Sequence, residues 1–181
     1  MTTMTIIATV LVAIALVLAG ILVFAARKPN KFEIKRSATI NAASDKIIPY
    51  LNDLRAHTQW SPFEKDPNMK RVHSGALLGK GSVYEWDGNR EVGAGRITIV
   101  EATPSRVICD MEMSRPFKCR NMIEYTLEPA GNGTAVTKVT WAMRGPQPLI
   151  GKVMSLFIDC EKMCGDQFEI GLAKLKTLAE A

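Results

Sequence analysis

The sequence contains few residues of the types that build metal centres. It has two histidines, His57 and His73, and four cysteines, none of them in a Cys-x-x-Cys pair. Cys160 and Cys164 are one helical turn apart, but both histidines lie far from them in sequence, so no metal site is expected. We interpret these two thiols as small buried core residues. This cysteine usage agrees with a reducing compartment.

The sequence also lacks the fingerprints of common enzyme classes. No G-x-S-x-G nucleophile motif, P-loop or dinucleotide-binding motif occurs, and no cofactor is expected. The ionisable candidates outside the predicted strands are His57, Glu64, Asp66 and His73. We interpret Glu64 and Asp66 as residues of a solvated loop and His57 as a residue at a helix C-terminus, with His73 on an edge strand.

The net charge is +5, but the positive charge is not spread evenly along the chain. Five basic residues and one acidic residue between Arg27 and Arg36 give +4, and the remaining 18 basic and 17 acidic residues give +1. The near-neutral remainder has no phosphate-binding face, which argues against nucleic-acid binding. We call the five basic residues the basic collar: Arg27, Lys28, Lys31, Lys35 and Arg36.

Charge is absent altogether from Ile6 to Ala26, a run of apolar residues long enough to cross a bilayer. A removed signal peptide is the alternative, but no basic residue precedes the run, and the run exceeds the usual length of the apolar h-region of a signal peptide. Because the basic collar follows the apolar run, the positive-inside rule predicts a cytoplasmic domain. We therefore predict a single-pass membrane anchor and collar in residues 1–31 and a folded domain in residues 32–181.

The rest of the chain alternates between strand-like runs and turn residues. Phe32–Ile40 predicts a strand, and Ile47–Leu54 lies in a predicted helix. Six further strand-like runs are separated by hairpin-type turns, which predicts an antiparallel meander. Apolar residues at steps of three and four from Gln147 to Leu178 predict one long amphipathic helix, with a possible bend at Gly165.

Several local motifs occur within this order of elements. They are the Ile47–Leu54 helix, Trp60-Ser61-Pro62 with the acidic stretch after it, Gly79-x-Gly81, Gly133-Thr134, Trp141 and the closing helix. On these residues, the chain resembles the START-like SRPBCC superfamily, and within it the bacterial polyketide cyclase/dehydrase-like branch, over roughly residues 32–180. The resemblance implies an α+β helix-grip fold, in which a curved antiparallel sheet surrounds a long C-terminal helix, and a hydrophobic pocket between them.

Period-two sorting of the strands places apolar or aromatic residues on each inward face and charged residues outward. The loop from Trp60 to Phe63 is predicted to lie at the mouth of a cavity. The candidate ligand-binding residues are Trp60, Phe63, Tyr84, Trp86, Met111, Met113, Trp141, Met143 and Phe157.

Three functions remain open at this point. The first is binding of a hydrophobic small molecule or lipid by a domain attached to the membrane through residues 6–26. The second is a regulatory module that binds a protein partner at the membrane without a ligand. The third is a cyclase or dehydratase-type enzyme, which the lack of inward ionisable residues disfavours.

The predicted topology can be tested with reporters fused to Ala181. A cytoplasmic domain should give a fluorescent fusion with a protein that matures in the cytoplasm and an inactive fusion with alkaline phosphatase. An active phosphatase fusion without fluorescence would place the domain on the other side of the membrane and contradict the prediction.

Overall fold

A computed structural model describes residues 2–131 and 135–181 of the chain. Their elements, in order, are α1 (Thr3–Ala26), β1 (Lys31–Ile40), α2 (Ser44–Asn52), α3 (His57–Trp60), β2 (Lys70–Gly75), β3 (Ser82–Asp87), β4 (Ala94–Thr103), β5 (Arg106–Arg115), β6 (Cys119–Pro129), β7 (Thr137–Pro146), α4 (Leu149–Met154) and α5 (Cys160–Glu180). All seven predicted strands are confirmed. The motif Gly133-Thr134 lies outside the described residues.

The chain divides into two compact units. One comprises Met1–Phe32 and Pro146–Cys160, and the other comprises Glu33–Gly145 and Glu161–Ala181. The boundary predicted between residues 31 and 32 stays a prediction. The sequence pattern did not indicate that Pro146–Cys160 belongs to the same compact unit as the N-terminal segment.

The seven strands form one sheet in the order β1-β7-β6-β5-β4-β3-β2. From β2 to β7 each strand pairs antiparallel with the next, as short hairpin connections require. The chain then places β1 beside β7, where Arg144 pairs with Glu33 and Ser37 hydrogen-bonds Thr140. The predicted antiparallel meander is therefore confirmed, and the first strand adds to it at the β7 edge.

Helix α5 packs on the inward face of the sheet through an aromatic stack. The Phe168 ring lies parallel to the Trp141 ring of β7, with the ring centroids 4.2 Å apart. Gly171 follows Phe168 on the same helix face, and a Cβ there would lie 2.8 Å from Trp141 Cζ3 and 2.9 Å from Pro62 Cδ. Glycine thus lets the helix backbone approach both groups closely.

Charged residues are not confined to the outward face, contrary to prediction. Arg36 of β1 shares the face of Ile34 and Ile40, and its guanidinium lies against Gly165 of α5. It donates to Glu161 at 2.7 Å and to Glu169 at 2.9 Å. These hydrogen bonds and the adjacent carboxylates raise the pKa of Arg36. Arg36 therefore contributes to the contact between β1 and α5.

The single helix predicted from Gln147 to Leu178 is wrong, because the helix is interrupted between Met154 and Cys160. The carbonyl of Ser155 accepts a hydrogen bond from Lys28 Nζ at 3.1 Å. That carbonyl would otherwise accept the N–H four residues later in a continuous helix. Helix α5 then runs unbroken past Gly165.

The cysteines also differ from expectation. Cys160 and Cys119 are exposed and Cys164 is half-buried, so the pair in α5 is not a pair of core thiols. Cys109 is buried on the inward face of β5, and burial raises the pKa of its thiol to about 12. Cys109 is thus the cysteine that behaves as a small apolar core residue.

Replacing Gly171 with alanine should destabilise the fold. The new methyl group would overlap Trp141 and Pro62, and overpacking of this kind costs roughly 1–3 kcal/mol, partly offset by the better helix propensity of alanine, about 1 kcal/mol. Urea unfolding of the full chain in detergent, followed by tryptophan fluorescence, measures the change. Gly151→Ala is the matched control, because a Cβ there meets its nearest neighbour at 3.7 Å. Equal stability of the two variants would contradict the close approach.

Candidate functional site

Five aromatic side chains fill one half of the inward face of the sheet. Trp60, from α3, lies edge-on to Trp141 at 5.5 Å and to Tyr125 at 5.9 Å, and Phe63 lies edge-on to Trp141 and Phe168. Trp60 is 1% exposed, and its indole N–H donates to the Tyr50 carbonyl at 3.0 Å. Three of the predicted ligand-binding residues, Trp60, Phe63 and Trp141, are therefore packed together in this aromatic cluster.

The other half of the inward face is apolar but less covered. Strand register aligns Tyr84, Ile97, Met111 and Asn121 in one row, and Trp86, Gly95, Met113 and Cys119 in the next. Both rows lie on the face of Trp141, since Asn121 and Tyr125 share one side of β6, and Tyr125 pairs with Trp141. We call these two rows the open rows. Four predicted site residues, Tyr84, Trp86, Met111 and Met113, fall in them.

Exposure distinguishes the open rows from the rest of the face. Ile97, Met111, Trp86 and Met113 are half-buried, although Tyr84 and Asn121 at the two ends of the first row are buried. In the adjacent row Ile99, Cys109 and Ile123 are all buried. Met143, also a predicted site residue, pairs with Ile123 in that buried row. Towards the β5–β6 turn, the inward face thus retains apolar surface that the fold does not cover.

An open cleft of about 750 Å3 lies at this end of strands β3 to β6. Four residues of the open rows line it, namely Trp86, Gly95, Met113 and Cys119. The other side of the cleft is charged and comes from the outward face and the β5–β6 turn: Glu85, Asp87, Arg96, Glu112, Lys118 and Arg120. A Cβ at Gly95 would lie 2.6 Å from Trp86 Cζ2, so the indole ring lies directly over this glycine. The volume is in the range of small-molecule sites.

Two buried polar atoms on the inward face have no hydrogen-bond partner among the described residues. They are Oδ1 of Asn121 and Nε1 of Trp141. The amide nitrogen of Asn121 makes one weak contact, 3.7 Å from Cys119 Sγ. A buried, unpaired polar group costs free energy, so both atoms could pair with a polar group of a bound molecule. Asn121 lies in the open rows and Trp141 in the aromatic cluster.

A buried ionic network borders the open rows, contrary to the prediction of a solvated Glu64. The side chain of Glu64 is 9% exposed, accepts from Arg71 Nε at 2.8 Å and accepts from the Tyr84 hydroxyl at 2.6 Å. Burial and the Glu64 hydrogen bond raise the pKa of Tyr84, and the hydrogen bond to Glu64 raises the pKa of Arg71. His73, on edge strand β2 as predicted, stacks on Tyr84 at 4.8 Å.

Asp66 and His57 are buried too, so the other two predictions for this loop are also wrong. Asp66 accepts from the backbone N–H groups of Asn68 and Asn89 at 2.9 and 2.8 Å, which ties the loop to the β3–β4 turn. His57 begins helix α3 and lies edge-on to Trp60. Burial lowers the pKa of His57 to about 4, so its imidazole is neutral at physiological pH.

The last predicted site residue, Phe157, is not with the others. It follows α4 in the unit that contains α1, and it is 72% exposed. Sequence reasoning placed it on the inward stripe because it assumed an unbroken helix.

Several residues of the site escaped the sequence analysis. Asn121 has the inward parity of Ile123 and Tyr125, so continuing the alternation by one step along β6 would have found it. Phe168 lies on the predicted apolar stripe of α5, but its stacking on Trp141 depends on tertiary contact. The pairing of Glu64 with Arg71 and Tyr84 joins a loop to two strands and leaves no local pattern in the sequence.

Sheet, aromatic cluster and C-terminal helix together define a helix-grip domain with an apolar inward face. The family described as polyketide cyclase / dehydrase and lipid transport matches residues 31–180, and the chain belongs to this family. No curated protein is similar enough in sequence to match the chain.

Solved structures show the same fold at low sequence identity. The Aha1 dimer from Colwellia psychrerythraea is 17% identical with a TM-score of 0.57, covering 82% of this chain and 96% of that one. A hypothetical protein from Helicobacter pylori is 9% identical with a TM-score of 0.59, covering 82% and 88%. The di-domain ARO/CYC StfQ from the steffimycin biosynthetic pathway is 13% identical with a TM-score of 0.61, covering 83% and 51%.

The buried His57 should make stability depend on pH. Its pKa of about 4 lies below the ordinary 6.5, so from pH 6.5 down to 4 the unfolded chain binds a proton there that the folded chain does not. This residue should therefore cost the fold about 2 kcal/mol between pH 7 and pH 5. His57→Phe keeps a ring against Trp60 and removes the titration. Urea unfolding at both pH values should show a smaller loss for the variant; equal losses would contradict a buried neutral His57.

Proposed function

We propose that the protein is a membrane-anchored binding protein whose helix-grip domain holds a hydrophobic small molecule or lipid on the open rows. The observation that carries this proposal is the contrast within one face of the sheet. One half is filled by the aromatic cluster, while the other half presents half-buried Trp86, Met111 and Met113 beside a cleft. Each 100 Å2 of this surface that a ligand covers contributes about 2.5 kcal/mol to binding.

The composition of the open rows suits a ligand that is mostly apolar. Methionine side chains adapt to varied shapes, and the Trp86 indole offers a rigid flat contact. Asn121 supplies one polar group that could orient a carbonyl or hydroxyl on the ligand. The family description includes lipid transport, which supports a ligand of this class.

Attachment to a membrane rests on α1. Its 24 residues are long and apolar enough to cross a bilayer, and most of their side chains are exposed. The basic collar after α1 supports a cytoplasmic location for the domain. Two members of the collar also make internal contacts, since Lys28 bonds Ser155 and Arg36 bonds Glu161 and Glu169.

A cyclase or dehydratase-type enzyme is less well supported by the ionic network. Glu64 is held by Arg71, and the raised pKa of Tyr84 keeps its phenol protonated at neutral pH. General acid–base catalysis works best with a pKa near the operating pH. Glu64 and Tyr84 instead connect the loop after α3 to strands β2 and β3, which positions one wall of the open rows.

Met111→Gln should weaken binding of an apolar ligand without unfolding the domain. The substitution keeps side-chain length but adds an amide, whose burial costs about 1–3 kcal/mol, or roughly tenfold or more in Kd. Quenching of tryptophan fluorescence by a long-chain fatty acid or a short-chain quinone, in the detergent-purified full chain, measures the affinity.

Met122→Gln is the matched control, because it is the same substitution on the neighbouring strand β6, Met122 is exposed on the opposite face of the sheet, and it does not line the cleft. It should bind like the wild type. Equal affinities for the wild type and Met111→Gln would contradict a site on the open rows. Failure of the wild type to bind any apolar probe would favour a protein partner instead.

A further inference from the structure

The segment from Pro146 to Ile158 presents an uncharged apolar surface. Its one charged residue is Lys152. Lys152 is 5% exposed, and its amino group donates to Asn30 Oδ1 at 2.6 Å, so the charge is turned inward. The exposed large side chains of the segment are all apolar: Leu149, Ile150, Met154, Phe157 and Ile158. The surface of a soluble domain normally mixes charged side chains among such residues.

This segment is fastened to the C-terminal end of α1. Lys28 Nζ donates to the Ser155 carbonyl at 3.1 Å and to the Ser155 hydroxyl at 2.9 Å. The backbone N–H of Gln147 donates to the Asn30 carbonyl at 2.8 Å. Ala25 is buried in α1, and Ile21 and Lys28, on the same helix face, are half-buried. Helix α4 thus packs beside the last turns of α1.

We propose that residues 149–158 form a membrane-interface element that lies at the headgroup level, with Ile150 and Phe157 inserted among the lipids. The proposal rests on α1 crossing the membrane, as proposed above. A helix of 24 residues is about 36 Å long, slightly more than the apolar core of a bilayer, so its last turn reaches the interface. Contacts with Lys28 and Asn30 then fix α4 at that depth.

A lipid surface fits this segment better than a protein partner does. The last turns of α1 expose Val23 and Phe24, so apolar surface continues from the helix that crosses the membrane to the segment beside it. Protein interfaces normally carry a polar rim around an apolar centre. Residues 146–158 expose no charged side chain, and the first exposed charge, Asp159, comes at their C-terminal end. A short apolar element beside a membrane helix buries such a surface at the headgroup boundary.

Photo-crosslinking in vesicles tests the depth of the segment. The full chain is reconstituted in vesicles of phosphatidylcholine and phosphatidylglycerol, with p-benzoylphenylalanine replacing Phe157 or Ile150. The same probe at Leu11 of α1 is the positive control, and at Lys174, an exposed position of α5, the negative control. Lipid adducts are counted by mass spectrometry. Adducts at Phe157 and Ile150 should be comparable to those at Leu11 and several-fold above those at Lys174.

The controls separate the two proposals. Lipid adducts at Leu11, with Phe157 and Ile150 no higher than Lys174, would overturn the interface element and leave the membrane anchor intact. No adduct at Leu11 would overturn the anchor and the interface element together. Crosslinks from Phe157 to a second copy of the chain as the main product would show a protein contact on this face and also overturn the proposal.

Discussion

The stacking of Phe168 on Trp141 is the contact on which the helix-grip domain depends. It sets the distance between α5 and the sheet, and it is possible because Gly171 leaves room for the indole and for Pro62. Once these rings are in place, Trp60, Tyr125 and Phe63 fill the space around them edge-on, an arrangement that aromatic pairs favour. The result is a packed half of the inward face, in which Trp60, Trp141, Tyr125 and Phe168 are buried.

The same contact explains why the other half of the sheet stays open. Helix α5 and the loop after α3 meet at the aromatic cluster, and the rows of Tyr84 and Trp86 lie further along the strands. The ionic network of Glu64, Arg71 and Tyr84 holds the loop at the edge of this region instead of over it. Binding of an apolar molecule to this half-exposed surface is favourable, because it removes apolar area from water without rearranging the core.

Most of the fold could be predicted from the sequence because its signals are local. Alternation in β5 and β6 assigned inward and outward residues correctly, and the uncharged run before Arg27 predicted α1. The errors share one cause, which is that they concern contacts between distant segments. Arg36 points inward, where it forms ion pairs with Glu161 and Glu169. The Glu64 side chain is largely buried, where it pairs with Arg71 and Tyr84. The first contact joins residues more than 100 positions apart, and the second joins a loop to two strands, so composition and periodicity treat each residue as a solvated charge. The candidate site was predicted in part for the same reason: strand parity found Tyr84, Trp86, Met111 and Met113, but not which rows α5 leaves uncovered.

The interruption of the C-terminal helix changes the interpretation of a whole segment. An amphipathic stripe from Leu149 to Leu178 predicts that Phe157 faces a core. Because the helix is interrupted between Met154 and Cys160, the apolar residues before Cys160 do not share a stripe with Phe168 and Leu172. They become the exposed surface of a separate element beside α1, and Lys152, the charge that would make that surface soluble, is withdrawn to Asn30. The amphipathic pattern is therefore two patterns joined in sequence. One, from Phe168 onward, packs on the sheet, and the other, from Leu149 to Ile158, leaves its apolar side exposed, which is why we propose a lipid interface for it.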